Sequence, residues 1–202
     1  MTGYTRATLG ALVDALVPET PALASTHGPE HVPGGIEAGA DRVLTNALNH
    51  YRAVYGPLGH LLDTYPYALA VSLLLDAAAC ELLVRRANED RVRPQAGLST
   101  RGPYTLLSRR DRLQCLRLLE ADGVAHRLED VLGPRGPDPG ALSFLVQGLH
   151  TIVLMAAYSD WGVDEPSPET VQGWRQTGYP GPADGYPAFR GYEVEVFEED
   201  AY

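Results

Sequence analysis

The chain has 202 residues and a mass of 21.8 kDa, which suits one domain that folds around its own core without a disulfide or metal. It carries 26 acidic and 16 basic residues, and every basic residue is Arg; the net charge of −10 disfavours nucleic-acid binding through a basic surface. Its two cysteines, Cys80 and Cys115, lack the spacing of a c-type haem motif or a cysteine-rich metal site. We expect two buried or spare thiols, and their places on apolar predicted helices favour burial.

The N-terminal half predicts three helices. Apolar residues at helical spacing predict a first helix that ends at Pro18. A stretch rich in Pro, Gly, Thr and His over residues 18–35 predicts a long loop, and a second helix follows over about residues 37–54. The third helix, about residues 66–89, is apolar on nearly its whole circumference, so we expect neighbouring elements on all sides.

This third helix contains the most apolar stretch of the chain, residues 67–84, which is nearly long enough to cross a bilayer. Asp76 and Glu81 lie within it, and two acids near the middle of a membrane would be costly. We therefore predict a buried helix and no direct membrane span. The two acids are expected to pair with an arginine such as Arg85 or Arg117.

The C-terminal half predicts further helices. Ser108 and Asp111 form a capping box for a helix over residues 109–121, and a short helix follows over residues 124–132. An apolar helix runs from Pro139 to Tyr158, and a last helix runs from about residue 167 to 178. The fold class is therefore predicted to be all-α, an irregular helical bundle of about six helices. Residues 1–177 form the helical domain, and residues 178–202 form a Pro/Gly/Tyr-rich C-terminal arm with an acidic end.

Aromatic residues cluster in the last fifth of the chain. Trp and Tyr are among the residue types that anchor protein interfaces, and Tyr179-Pro180-Gly181 suits a type II turn that would hold such rings rigidly. The alternative is that these rings cover only the chain's own core. The residues predicted to contact a partner protein are Trp161, Trp174, Tyr179, Pro180, Gly181, Pro182 and Tyr186.

One stretch of this acidic chain is basic. Nine of the sixteen arginines lie between Arg85 and Arg117, with only three acids among them. The stretch is either a solvated face or a docking surface for an acidic partner. Arg109 and Arg110, at the start of the predicted helix 109–121, are the weaker candidates for partner contacts.

The sequence shows no nucleotide-binding or catalytic motif, so no flavin, nicotinamide, ATP or other cofactor is expected in this chain. The histidines also lack the spacing typical of a metal site, and surface or core roles are favoured for them. The alternative is a self-sufficient helical metal protein or enzyme that uses His27, Glu30 and His31 in the early loop, together with Asp41.

Two stretches resemble one family. The C-terminal stretch holds AYSD followed by Trp161, then WRQTGYPGP over residues 174–182; the N-terminal stretch holds LVPETP over residues 16–21 and GIEAGA over residues 35–40. Together they resemble the gluconate 2-dehydrogenase subunit 3 family, the small subunits of flavin-dependent sugar and alcohol dehydrogenases of the GMC type. The resemblance covers both ends of the chain, while the middle matches only in helix order.

The resemblance implies a non-catalytic, chaperone-like accessory subunit. The large partner subunit would hold the FAD and oxidise the substrate, and electrons would pass to a cytochrome or another acceptor subunit. Small subunits of this family often carry the export signal, whereas Met1 to Val17 reads as a mature amphipathic helix. We therefore expect either a cytoplasmic complex or export with a partner that carries the signal.

Overall fold

The computed structural model describes residues 3–50, 67–92, 102–121, 123–124, 127 and 141–181, and all regular structure in these residues is helical. The predicted all-α, irregular bundle is confirmed. Two 3₁₀ turns, Pro21–Leu23 and Pro29–His31, lie in the early loop. The α-helices are α1 (Gly3–Leu16), α2 (Ala24–His27), α3 (Ala40–His50), α4 (Tyr67–Val84), α5 (Pro103–Leu106), α6 (Arg109–Ala121), α7 (Ala141–Tyr158) and α8 (Gln172–Thr177).

Helix α1 lies at the centre of the bundle. It packs against α3, α4, α6 and α7, and its residues Leu9, Leu12 and Val13 are fully buried. This is the face that the spacing of its apolar residues predicts. Each such side chain contributes about 1.5–3 kcal/mol when it is removed from water, so these contacts hold α1 in the bundle.

Helix α4 packs on α1, α3, α5 and α6, but the described part of the chain covers only one side of it. Leu75, Ala78 and Leu82 are fully buried, whereas Leu73 and Val84 are exposed. Among the described helices, α4 alone has the length and apolarity that a membrane crossing requires, a property that core helices of soluble proteins share. The absence of a span therefore stays a prediction.

The acids of α4 differ in their partners. Glu81 pairs with Arg85 at 2.7 Å and with Arg127 at 3.3 Å, as expected for an arginine partner. The prediction for Asp76 is wrong, because its carboxylate accepts hydrogen bonds from the Tyr4 hydroxyl at 2.5 Å and the Tyr104 N–H at 2.9 Å. Burial, and then this carboxylate, raise the pKa of Tyr4.

The two cysteines also differ. Cys115 on α6 is fully buried, and burial, followed by the charge of Asp111, raises the pKa of its thiol to about 12. Cys80 is exposed, so the expectation of burial is wrong there. It lies seven residues after Leu73 and four before Val84, on the side of α4 that faces away from α1.

Several helix boundaries shift from the predicted ones. Helix α3 begins at Ala40 rather than at residue 37, because Gly39 takes a left-handed conformation with φ of 74°. Helix α8 begins at Gln172 rather than near residue 167, because Ser167 and Thr170 form a hydrogen-bonded turn first. Residues 51–54 of the second predicted helix, most of the short helix 124–132 and the arm beyond residue 181 lie outside the described residues.

Candidate partner-binding surface

Trp174 and Tyr179 form a compact pair at the end of α8. Gly178 takes a left-handed conformation with φ of 66° that ends the helix, and the Tyr179 N–H then donates to the Trp174 carbonyl at 2.9 Å. The chain reverses, and the two rings meet edge to face with centroids 5.2 Å apart. The sequence Thr-Gly-Tyr therefore fixes the position of both rings through a helix cap.

The Pro180-Gly181 turn curls the chain over this pair. Gly181 is buried and has φ of 94°, the sign that a type II turn requires at its third position. A Cβ atom at Gly181 would lie 3.5 Å from the Trp174 ring, so the turn packs directly on that ring. Pro180 is exposed beside it, whereas Pro182 and Tyr186 lie outside the described residues.

Helix α8 is seated on the end of α7. A Cβ atom at Gly173 would approach the Tyr158 carbonyl oxygen to 2.2 Å, so only glycine permits this contact. Trp161 follows three residues after Tyr158 and is 57% exposed, and its backbone N–H donates to the Ser159 hydroxyl at 3.3 Å. The structure thus brings Tyr158, Trp161, Trp174 and Tyr179 to one end of α7, and we call these four residues the aromatic cluster.

Two glutamines hold α8 against the early loop. The Gln172 amide donates to the Pro33 carbonyl at 2.7 Å, and the Gln176 amide donates to the Glu30 carbonyl at 3.2 Å. Gln172 is almost fully buried, so its hydrogen bond is shielded from water. Sequence analysis missed both residues, since glutamines on a short helix give no signal that they contact a segment about 140 residues away.

The segment beside the aromatic cluster is acidic, although Arg175 on α8 is exposed next to Trp174. The segment between α7 and α8 exposes four acids and no basic residue: Asp160, Asp164, Glu165 and Glu169. The pKa of the Glu169 carboxyl is lowered by hydrogen bonds from the Ser167 hydroxyl and from the backbone N–H of Glu169. A partner that binds here with complementary charge presents basic groups around an apolar centre.

The two arginines proposed as weaker contacts both have partners within the chain. The Arg109 guanidinium donates to the Ala15 carbonyl at 2.9 Å, where it caps the C-terminal end of α1. Arg110 is exposed and pairs with Glu89 at 2.6 Å. Nearby Arg112 is the most enclosed of the three, and it donates to the Asp14 carboxylate at 2.9 Å and the Thr105 carbonyl at 3.0 Å.

The early histidines lie close together. The rings of His27 and His31 have centroids 5.6 Å apart, and Glu30 Oε1 lies 3.6 Å from His31 Nδ1. Asp41 on α3 instead pairs with Arg6 at 3.9 Å. Within the described ranges, no three His, Cys, Asp or Glu side chains are arranged to hold a metal ion, and the metal-protein alternative stays a prediction.

A second apolar surface lies along α7 itself. Phe144 is 66% exposed, and Leu154, Met155 and Tyr158 are also exposed. The sequence predicts an apolar helix here, and most of its Leu and Val residues lie on the opposite, buried side, among them Val146, Leu149 and Val153. Helix α7 packs on α1, α3 and α6, and it also contacts α8.

A scan against protein-family models and searches of curated proteins and solved structures found no match to this chain. The resemblance to the gluconate 2-dehydrogenase subunit 3 family is therefore one of the sequence motifs alone.

Proposed function

We propose that this chain is a non-catalytic accessory subunit that binds and stabilises a flavin-dependent sugar or alcohol dehydrogenase of the GMC type. The observation that carries the proposal is the conformation of the motif at residues 174–181. Its two glycines are the left-handed residues of the helix cap and of the turn, and its Tyr179 ring is 45% exposed. The motif therefore presents an aromatic ring on the surface from a fixed backbone.

The energetics of the aromatic cluster suit an interface. Trp and Tyr dominate binding hot spots, since each buries a large area with few rotatable bonds. Here the helix cap, the turn and the seat of α8 on α7 already fix the backbone around these rings. Binding then costs less conformational entropy than it would for a flexible segment.

In the proposed complex, the partner subunit holds FAD and carries out the oxidation, and a cytochrome or another acceptor subunit receives the electrons. This chain contributes contacts and stability, with no cofactor of its own. The acids around the aromatic cluster favour a partner surface that is apolar at its centre and basic at its rim. Nucleic acid is a poor partner for such a surface.

Affinity isolation of the tagged chain from its own cells tests the proposal. We expect a stoichiometric protein of flavoenzyme size with flavin absorbance, identified by mass spectrometry. The double variant Trp161→Ala/Tyr179→Ala should lose this protein, whereas Leu73→Ala, an exposed apolar control on α4, should retain it. A chain that elutes alone and colourless, or a captured protein without flavin, would contradict the proposed function.

A further inference from the structure

Two exposed arginines follow α4 on loop 85–92 without a counter-charge of their own. Arg86 ends the helix in a left-handed conformation with φ of 52°, and Arg91 lies five residues further along. Neither guanidinium forms an ion pair or a hydrogen bond with another described residue. Glycine usually occupies this helix-ending position, because a Cβ atom makes the left-handed conformation costly. The helix end by itself therefore does not require an arginine at position 86.

A buried acid fixes loop 85–92 in place. The Asp111 carboxylate accepts hydrogen bonds from the Glu89 N–H at 2.8 Å and from the Asp90 N–H at 3.2 Å. Since Asp111 belongs to the first turn of α6, the loop lies against the start of that helix. A ligand that binds such a fixed loop loses less free energy to ordering than one that binds a flexible segment.

Two arginines of α6 extend this basic surface. Arg109 donates to a neutral group, the Ala15 carbonyl, and Arg110 reaches the loop through its ion pair with Glu89. The two segments involved, residues 81–91 and 109–112, together hold six arginines and four acids. They therefore carry an excess of positive charge on a chain whose net charge is −10. We call its four members, Arg86, Arg91, Arg109 and Arg110, the arginine surface.

The most acidic stretch of the chain lies in its C-terminal arm. Residues 193–200 hold five acids and no basic residue: Glu193, Glu195, Glu198, Glu199 and Asp200. Val194 and Val196 alternate with the first of these acids. Beside Arg86, the exposed Val84 offers an apolar contact within the basic surface. The acidic segment thus complements the arginine surface in charge and in its apolar residues.

The arm leaves the described structure at the same end of the bundle as the arginine surface. Gly181 packs on α8, which is bonded to the early loop. That loop returns to the end of α1, where the Gly35 N–H donates to the Val17 carbonyl at 2.8 Å. Arg109 donates to the Ala15 carbonyl in the last turn of the same helix. The C-terminal end of α1 therefore connects the two regions.

The arm is also long enough to reach this surface. Twelve positions separate Gly181 from Glu193, and an extended chain of that length spans up to about 40 Å. A small domain is only about 30 Å across. Because the acidic segment belongs to the same chain, its effective concentration at the surface is on the order of millimolar, so individually weak contacts are sufficient.

We infer that residues 193–200 dock on the arginine surface of the same chain, where their acids pair with its arginines. Exposed ion pairs are individually weak and are screened by salt, so the contact is reversible and weakens as the salt concentration rises. It uses none of the residues of the aromatic cluster. The inference does not rest on the proposed function.

Paramagnetic relaxation in the full chain tests the contact. A nitroxide on Ala201→Cys, in a Cys80→Ser background that leaves only the buried Cys115, should broaden the amide signals of residues 86–91 and 109–110. The reference is residues 67–70 at the other end of α4, about 25 Å along the helix. At 50 mM salt the broadening should be at least about fivefold stronger at the arginine surface, and 500 mM salt should reduce it at least about threefold.

Charge variants separate this contact from general attraction. Arg86→Gln/Arg91→Gln should reduce the broadening at residues 109–110 at least about fivefold, because it removes the two arginines without a counter-charge. Arg6→Gln/Arg42→Gln removes the same charge from exposed positions on α1 and α3 and should change the broadening little. Glu198→Gln/Glu199→Gln in the arm should reproduce the loss while the described helices keep their sequence.

Three results would overturn the inference. The first is broadening at the arginine surface no stronger than at residues 67–70, which is the result expected if an acidic partner protein occupies that surface instead. The second is an equal loss of broadening in both arginine double variants. The third comes from a mixture of nitroxide-labelled chains with unlabelled chains that carry the observed amides: broadening there would mean that the segment docks on a second copy.

Discussion

The Arg-rich helix α6 and the aromatic cluster at the end of α7 both contain residue types that often bind partners. They differ in how far those side chains are already engaged within the chain. On α6, Arg109 caps α1, Arg110 pairs with Glu89 and Arg112 links α1 to α5. At the aromatic cluster, Trp161 and Tyr179 remain about half exposed on a backbone that is already fixed. Residue type alone suggests docking in both regions, but only the second leaves large apolar groups available to another molecule.

Alkaline pH should have the largest effect on stability. It should act through two buried groups, Cys115 on α6 and Tyr104, whose hydroxyl lies beside α6. Burial raises the pKa of Tyr104 and raises that of Cys115 to about 12. The unfolded chain releases these protons near pH 8.5 to 10, so stability is complete below that range and falls as pH rises, by about 1.4 kcal/mol per pH unit for each group. Melting temperatures between about pH 8 and 11 measure the fall. Cys115→Ala should make the melting temperature fall less steeply with pH. An unchanged dependence on pH would contradict the role given to the buried Cys115 thiol.

Arg112→Met should destabilise the chain by about 2–4 kcal/mol. It removes the hydrogen bonds to the Asp14 carboxylate and the Thr105 carbonyl, and it leaves that carbonyl without its charged donor. Arg110→Ala, which removes only an exposed ion pair, should cost less than about 0.5 kcal/mol. Urea unfolding compares the two variants, and equal losses would mean that α6 is a solvated face.

Deletion of residues 178–202 should affect binding more than folding. It removes Tyr179 and the turn over Trp174 but none of the contacts among α1, α3, α4 and α6, so the helical signal in circular dichroism and the cooperative unfolding should remain. Capture of the flavoprotein partner should be lost. A truncated chain that still isolates its partner would remove the C-terminal arm from the interface.

Replacement of His27 and His31 by Ala should have the smallest effect. Both lie in the early loop, and neither side chain belongs to the fully buried core. We expect unchanged turnover by the isolated complex and unchanged metal content. A large loss of turnover, together with a lost metal ion, would instead support the metal-protein alternative and would place its functional site in this loop.

Local signals in the sequence predicted local structure well. Ser108 and Asp111 predict the start of α6, and the Ser108 hydroxyl indeed accepts the Asp111 N–H at 3.2 Å. Arg85 was predicted as a partner of the α4 acids, and it lies one helical turn from Glu81. These features depend on residues three or four positions apart, which a pattern can reveal.

Features that depend on distant segments could not be predicted. The Asp76 carboxylate accepts a hydrogen bond from the Tyr4 hydroxyl, 72 residues away. The Gln172 amide donates to the Pro33 carbonyl, 139 residues away. The exposed apolar residues of α7 were also not predicted. Phe144, Leu154, Met155 and Tyr158 are residue types that usually lie in a core, so their composition gives no sign that they stay exposed.

The most direct test of the accessory role is the amount of flavin-loaded dehydrogenase in cells that lack this chain. The account predicts that the captured flavoprotein, measured by flavin absorbance per milligram of purified large subunit and by its soluble yield, falls several-fold without the chain. The wild-type chain should restore it, and Trp161→Ala/Tyr179→Ala should not. A large subunit that is equally abundant, soluble and flavin-loaded without this chain would contradict the account.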